Sequence, residues 1–120
     1  MNAPQTNLEI RQWYKDQIAK IPQLNEQWIE QNVSLEERAY RAWQFRHDMR
    51  LKGRDMMQNQ LEVEFLRRRD IVRYGTPDGP TFEFVITEIE SEGLTGNDVL
   101  EAVIKGSYRT NAGIDKLLGF

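Results

Sequence analysis

The chain has 120 residues, with 16 basic and 19 acidic side chains, a formal charge of −3 and no cysteine. One domain spanning residues 1–120 can bury a core at this length, and the missing thiols exclude disulfides, thiolate nucleophiles and thiolate metal sites. No apolar run reaches the roughly 18 residues of a membrane span, and Met1–Thr6 shows no signal-peptide pattern, so a soluble, cytoplasmic protein is expected.

Helix signals dominate in chain order. Thr6-Asn7-Leu8-Glu9 reads as a capping box, opening a helix that carries Ile10, Trp13, Tyr14, Ile18 and Ile21 and that Pro22 should close. A short helix over 24–31 follows, anchored by Trp28. Ser34-Leu35-Glu36-Glu37 is a second capping box and starts a long helix over 35–57, in which Gly53 allows a kink or a close approach. The next helix runs from Asn59 or Gln60 to Tyr74, with Gly75 as a left-handed C-cap. Thr76–Thr81 is a loop punctuated by Pro77, Gly79 and Pro80.

Phe82, Val85, Ile86 and Ile89 have helical spacing up to Gly93, although the β-branched pair Val85-Ile86 keeps a strand as the rival. Thr95–Asp98 caps a helix bearing Leu100, Val103, Ile104 and Tyr108. Thr110 or Asn111 caps the last helix, which returns Ile114, Leu117 and Leu118 to the core. The expected fold is all-α, six or seven helices, with no internal repeat or linker.

Charge is spread unevenly along this framework. Residues 38–73 hold nine arginines and Lys52 against Asp48, Asp55, Glu62, Glu64 and Asp70, while the rest of the chain is acidic. Either the two parts pair internally or the basic part faces an anionic partner.

The helix over 35–57 brings this choice to a point. At about 100° per residue, Leu35, Ala39, Ala42, Trp43, Met49, Gly53 and Met57 form one apolar arc. Arg46 lies at its centre, Arg50 between Ala39 and Trp43, and His47 and Arg54 at its edge. A guanidinium keeps its proton, so a buried one needs carboxylate, carbonyl, phosphate or water partners. Asp70 is similarly misplaced, sharing a stripe with Val63, Leu66 and Tyr74. It is the expected partner of Arg46 or Arg50, with Glu62 and Glu83 in reserve, and helices 35–57 and 60–74 should meet there. Alternatively Arg67 or Arg73, three residues away, satisfies Asp70 locally.

The same residues support a ligand site. Arg46, Arg50 and Arg54, in steps of four, could grip a phosphate or carboxylate, with Lys105 and Arg109 contributing from the penultimate helix. His47, the only histidine, and Asp70 are then the candidate catalytic acid–base groups. Arg67-Arg68-Arg69 reads as a solvated face with a Glu64–Arg68 pair, and nucleic acid is not expected for so acidic a chain. In the Pro77–Pro80 loop, Pro80 removes an amide and Asp78 supplies a negative N-cap, which favours a structural turn over a phosphate cradle. P-loop, GxGxxG, HExxH and GxSxG spacings are absent, as is a second histidine for a metal site. Met49, Met56, Met57 and the three tryptophans follow helical spacing and read as core, and no cofactor is expected.

Two functions remain. One is a non-enzymatic helical domain whose surface binds another protein, a format compatible with accessory or immunity-like components of bacterial toxin and secretion systems. The alternative is a small enzyme or effector domain that holds an anionic ligand through the arginine cluster. A homo-oligomer fits the first, since arginine is enriched at interfaces.

Overall fold

Thr6 stands in extended conformation and its hydroxyl accepts the Glu9 amide at 3.1 Å, opening α1 (Asn7–Ile18). The computed structural model describes residues 3–106, 108 and 112–120. The capping box closes differently from the ideal pattern, because the Glu9 carboxylate takes the Thr6 hydroxyl (3.0 Å). Ile10 and Tyr14, one turn apart on α1, are fully buried.

Pro22 does not close α1. That helix stops at Ile18, and Pro22 lies in the first turn of α2 (Ile21–Glu30), where a missing N–H costs nothing because first-turn amides have no intrahelical acceptor. α2 ends in a Schellman motif. Asn32 turns left-handed at φ 60°, Val33 N–H donates to Trp28 O (2.9 Å), and Asn32 N–H donates to Ile29 O (3.0 Å).

α3 (Leu35–Met56) starts where the Ser34 hydroxyl accepts the Glu37 amide at 3.2 Å. It runs unbroken for 22 residues, roughly 33 Å at 1.5 Å per residue, and packs against α1, α2 and the helices that follow α4. Gly53 therefore marks a close approach rather than a kink. A Cβ there would sit 3.0 Å from Leu118, whose side chain is fully buried. The turn after α3 is tied to the start of α1, since the Asn7 side chain accepts Gln58 N–H and donates to Oδ1 of the Asn59 side chain.

α4 (Gln60–Tyr74) ends at Gly75, left-handed at φ 81°. α5 (Phe82–Ser91) is a helix, not a strand: the Thr81 hydroxyl caps it by accepting the Phe84 amide, and Val85 and Ile89 share its buried face. α6 (Asn97–Lys105) begins at Gly96 without a side-chain cap. α7 (Ala112–Leu117) buries Ile114 and Leu117, with Leu118 just beyond it. The expected caps Thr110 and Asn111 lie outside the described residues. Among the described residues the elements are seven α-helices and no strand.

These helices enclose two apolar clusters. One joins α2, α3, α5 and α6 around Ile21, Ala42, Trp43, Val85 and Val103. The other joins α1, α4, α7 and the end of α3 around Ile10, Tyr14, Met57, Val63 and Leu118. α3 belongs to both, and its stretch between them carries Arg46, Arg50 and Arg54, all buried.

Candidate functional site

Arg46 and Arg50 project one turn apart from α3 toward Asp115 of α7. Arg46 Nη2 donates to Asp115 Oδ2 (3.1 Å) and Arg50 Nε to Asp115 Oδ1 (3.0 Å). Tyr14 Oη donates to the same Oδ1 at 2.6 Å, and Arg50 Nη2 reaches Tyr108 Oη at 3.3 Å. Two guanidinia thus share one carboxylate among the described residues. The remaining positive charge meets the C-terminal turn of α6, where Arg46 Nη1 donates to Ile104 O (3.0 Å). That carbonyl is one of the last four that helical bonding leaves open, at the negative end of the helix dipole. The Phe120 ring, its centroid 5.4 Å from the Arg46 guanidinium, covers the group further.

The network holds its charges firmly. Burial alone would lower the Arg50 pKa, but Tyr108 and Asp115 more than reverse this, so Arg50 is cationic at every accessible pH. Burial pushes the Tyr14 hydroxyl above its usual range against the pull of Arg50, so it stays a donor to Asp115. Arg46 is 1% exposed and Arg50 7%, leaving no guanidinium edge open to a ligand.

Asp70 is not the partner of either arginine, a correction to the expectation from the helical wheel. It is buried on α4, 3.4 Å from Arg69 Nη2, and α4 packs chiefly on α7 rather than meeting α3 through these charges. α3 and α4 are linked instead by an Arg67–Asp55 pair (2.6 Å). Burial raises the Asp70 pKa, opposed by Arg69, Arg54 and Arg73. Neither Glu62 nor Glu83 faces Arg46 or Arg50; both are exposed.

Asp115 carried the same signal as Asp70, an acid three residues before Leu118 on an apolar helix. Tyr14 carried another, a phenol at the centre of an apolar stripe whose hydroxyl needs a partner once buried.

The other candidates disperse. Arg54 turns to the loop, donating to Pro77 O (3.0 Å) and facing Asp55 (3.1 Å) and Asp78 (3.5 Å). Asp78 is therefore an ion-pair partner, and Thr81 rather than Asp78 caps α5. His47 stacks on Trp43 (centroids 4.6 Å apart, 15° between planes) and lines a hollow of about 280 Å³ with Tyr40, Asp78, Pro80 and Phe82. Burial, then Arg50, lowers its pKa, and its Nδ1 has no hydrogen-bond partner among the described residues. Lys105 is exposed and pairs with Glu101 (3.6 Å). Arg109 lies outside the described residues. No group of three or more metal-ligating side chains occurs among the described residues.

A different surface stands out. The buried face of α4 is Val63, Leu66 and Asp70. On the wheel, Leu61, Phe65, Arg68 and Val72 lie within about 60° of one another on the side opposite, where a surface helix is ordinarily polar. Leu61 is 92%, Phe65 67% and Val72 86% exposed. Their spacing of four, three and four was visible in the sequence, but the stripe containing Asp70 competes with it for the same helix. A hollow of about 750 Å³ lined by Arg73, Tyr74, Phe84 and Thr87 adjoins the C-terminal end of α4.

In comparisons with known proteins, no family model matches the chain, and neither a curated protein nor a solved structure matches it significantly. No helix among the described residues is long and apolar enough to cross a membrane.

Proposed function

We propose that this protein is a non-enzymatic helical interaction domain that docks a protein partner on the outer face of α4. The observation that carries this reading is the exposure of Leu61, Phe65 and Val72 together on one face. Scattered exposed apolar residues need no explanation, but an aligned stripe on the solvent pole of a helix costs solubility and is what a docking helix requires. The arginines support the same reading by their engagement: a ligand on Arg46 or Arg50 would compete with the Asp115 ion pair which that arginine already makes. An accessory or immunity-like role, fulfilled by binding alone, fits such a face and needs no catalytic centre.

A photo-crosslinking amino acid in place of Val72 tests this in the native cells, with Asp98 on α6 as the control position. The expected result is a discrete adduct from position 72 only, lost on adding excess untagged chain and lost with Phe65→Glu. No competable adduct from position 72 would overturn the reading.

A further inference from the structure

We infer that the outer face of α4 pairs with the same face of a second copy of this chain, antiparallel, about a two-fold axis passing near Phe65 and Arg68. This rests on the docking role of α4 and names its partner.

The argument starts from register. Leu61, Phe65, Arg68 and Val72 recur at the alternating four- and three-residue spacing of a coiled-coil seam. Reversing the helix about a centre between residues 66 and 67 sets Leu61 opposite Val72 of the second copy and Phe65 opposite Arg68. Both ends of the seam are then apolar layers. Both central layers place a guanidinium against an aromatic ring, a favourable contact that keeps Arg68 beside its own Glu64 (3.5 Å).

Charge decides the direction. The exposed acids of α4, Glu62 and Glu64, lie in its N-terminal half, and Arg67, Arg68, Arg69 and Arg73 in its C-terminal half with the buried Asp70. A parallel pair would stack arginines on arginines and glutamates on glutamates. In the antiparallel pair equal flanks face one another with ends exchanged, so the flank bearing Glu62 and Arg69 meets itself reversed. Glu62 of each copy then faces Arg69 of the other, two equivalent ion pairs per dimer. Arg69 is partly available for this, since its side chain is 26% exposed and its one acid contact among the described residues, to Asp70, is long at 3.4 Å. Arg11 and Lys116 line the same hollow of about 380 Å³ beside Glu62 and Arg69, so the incoming glutamate enters a basic rim. One such helix per copy makes a contact at the small end for specific complexes, about 1,200 Å² or less, the range of weak and transient pairs.

The absence of cysteine makes disulfide trapping clean. Full-length Leu61→Cys and Val72→Cys chains are prepared separately, then oxidised alone and as an equimolar mixture. Both positions are highly exposed, so neither change should disturb the fold. The mixture should cross-link efficiently and each chain alone should not, because like positions at the ends of an antiparallel seam stand about 16 Å apart.

Sedimentation equilibrium of the natural chain should show a concentration-dependent dimer, weakened about tenfold by Glu62→Lys, which turns two attractions into repulsions. Cross-linking of Leu61→Cys with itself as readily as in the mixture would overturn the pairing, as would a monomer throughout the micromolar range. The photo-adduct from position 72 separates the two readings. An adduct carrying a different protein would overturn self-pairing and keep the docking role, whereas no competable adduct would remove both.

Discussion

Asp115 receives hydrogen bonds from two guanidinia and a phenol, whereas among the described residues Asp70 has one long contact, to Arg69. Burial raises the Asp70 pKa above its ordinary 3.8 because the surrounding arginines compensate incompletely. The folded state then holds the Asp70 proton more tightly than the unfolded chain does. Stability tied to this group is full below pH 3.8 and is lost as pH rises through the raised value. Asp70→Asn abolishes that loss. Urea denaturation between pH 3 and pH 7 should show the variant gaining stability relative to the natural chain as pH rises; a constant difference would contradict the assignment. The residue types of this cluster were readable in the sequence, since a charge on an apolar arc is a local property. Which acid meets which arginine was not, because Asp115 lies more than sixty positions from both and pairing depends on how α7 returns to α3.

Helices were the most legible level, because their signals are local. Thr6, Ser34 and Gly75 act where their side chains and conformational preferences indicate. Pro22 was ambiguous in physical terms, since a proline after one helix and a proline in the first turn of the next obey the same rule. The end of α2 shows a device that composition hides, a left-handed residue that is not glycine. Asn tolerates this conformation better than other side chains, so Asn32→Ala should cost about 1 kcal/mol in urea denaturation and Asn32→Gly should not. Equal losses for both would place the stabilisation in the Asn side chain instead. α4 illustrates the limit of periodicity. It carries two apolar stripes, and only its packing on α7 reveals that Val63 and Leu66 turn inward while Leu61, Phe65 and Val72 face solvent.

The whole molecule is a slab of 41 × 38 × 18 Å, less than two helix diameters thick. So thin a body divides its apolar interior, and its two clusters are joined through α3 and the charges beside it. Tyr108 comes from one cluster and Tyr14 from the other, and both converge on the Arg50–Asp115 pair. The arginines therefore serve as a polar seam that holds two small cores in one arrangement. The most direct measurement is a double-mutant cycle on that seam by urea denaturation, using Arg50→Met, Asp115→Leu and the double variant. Each single change should destabilise by about 3–5 kcal/mol through the unpaired charge or the loss of its partner. The double variant should lose about 1.5–3 kcal/mol less than the two single losses added together, which is the coupling energy. Additive losses, with a coupling below about 0.5 kcal/mol, would contradict an internal role for these arginines.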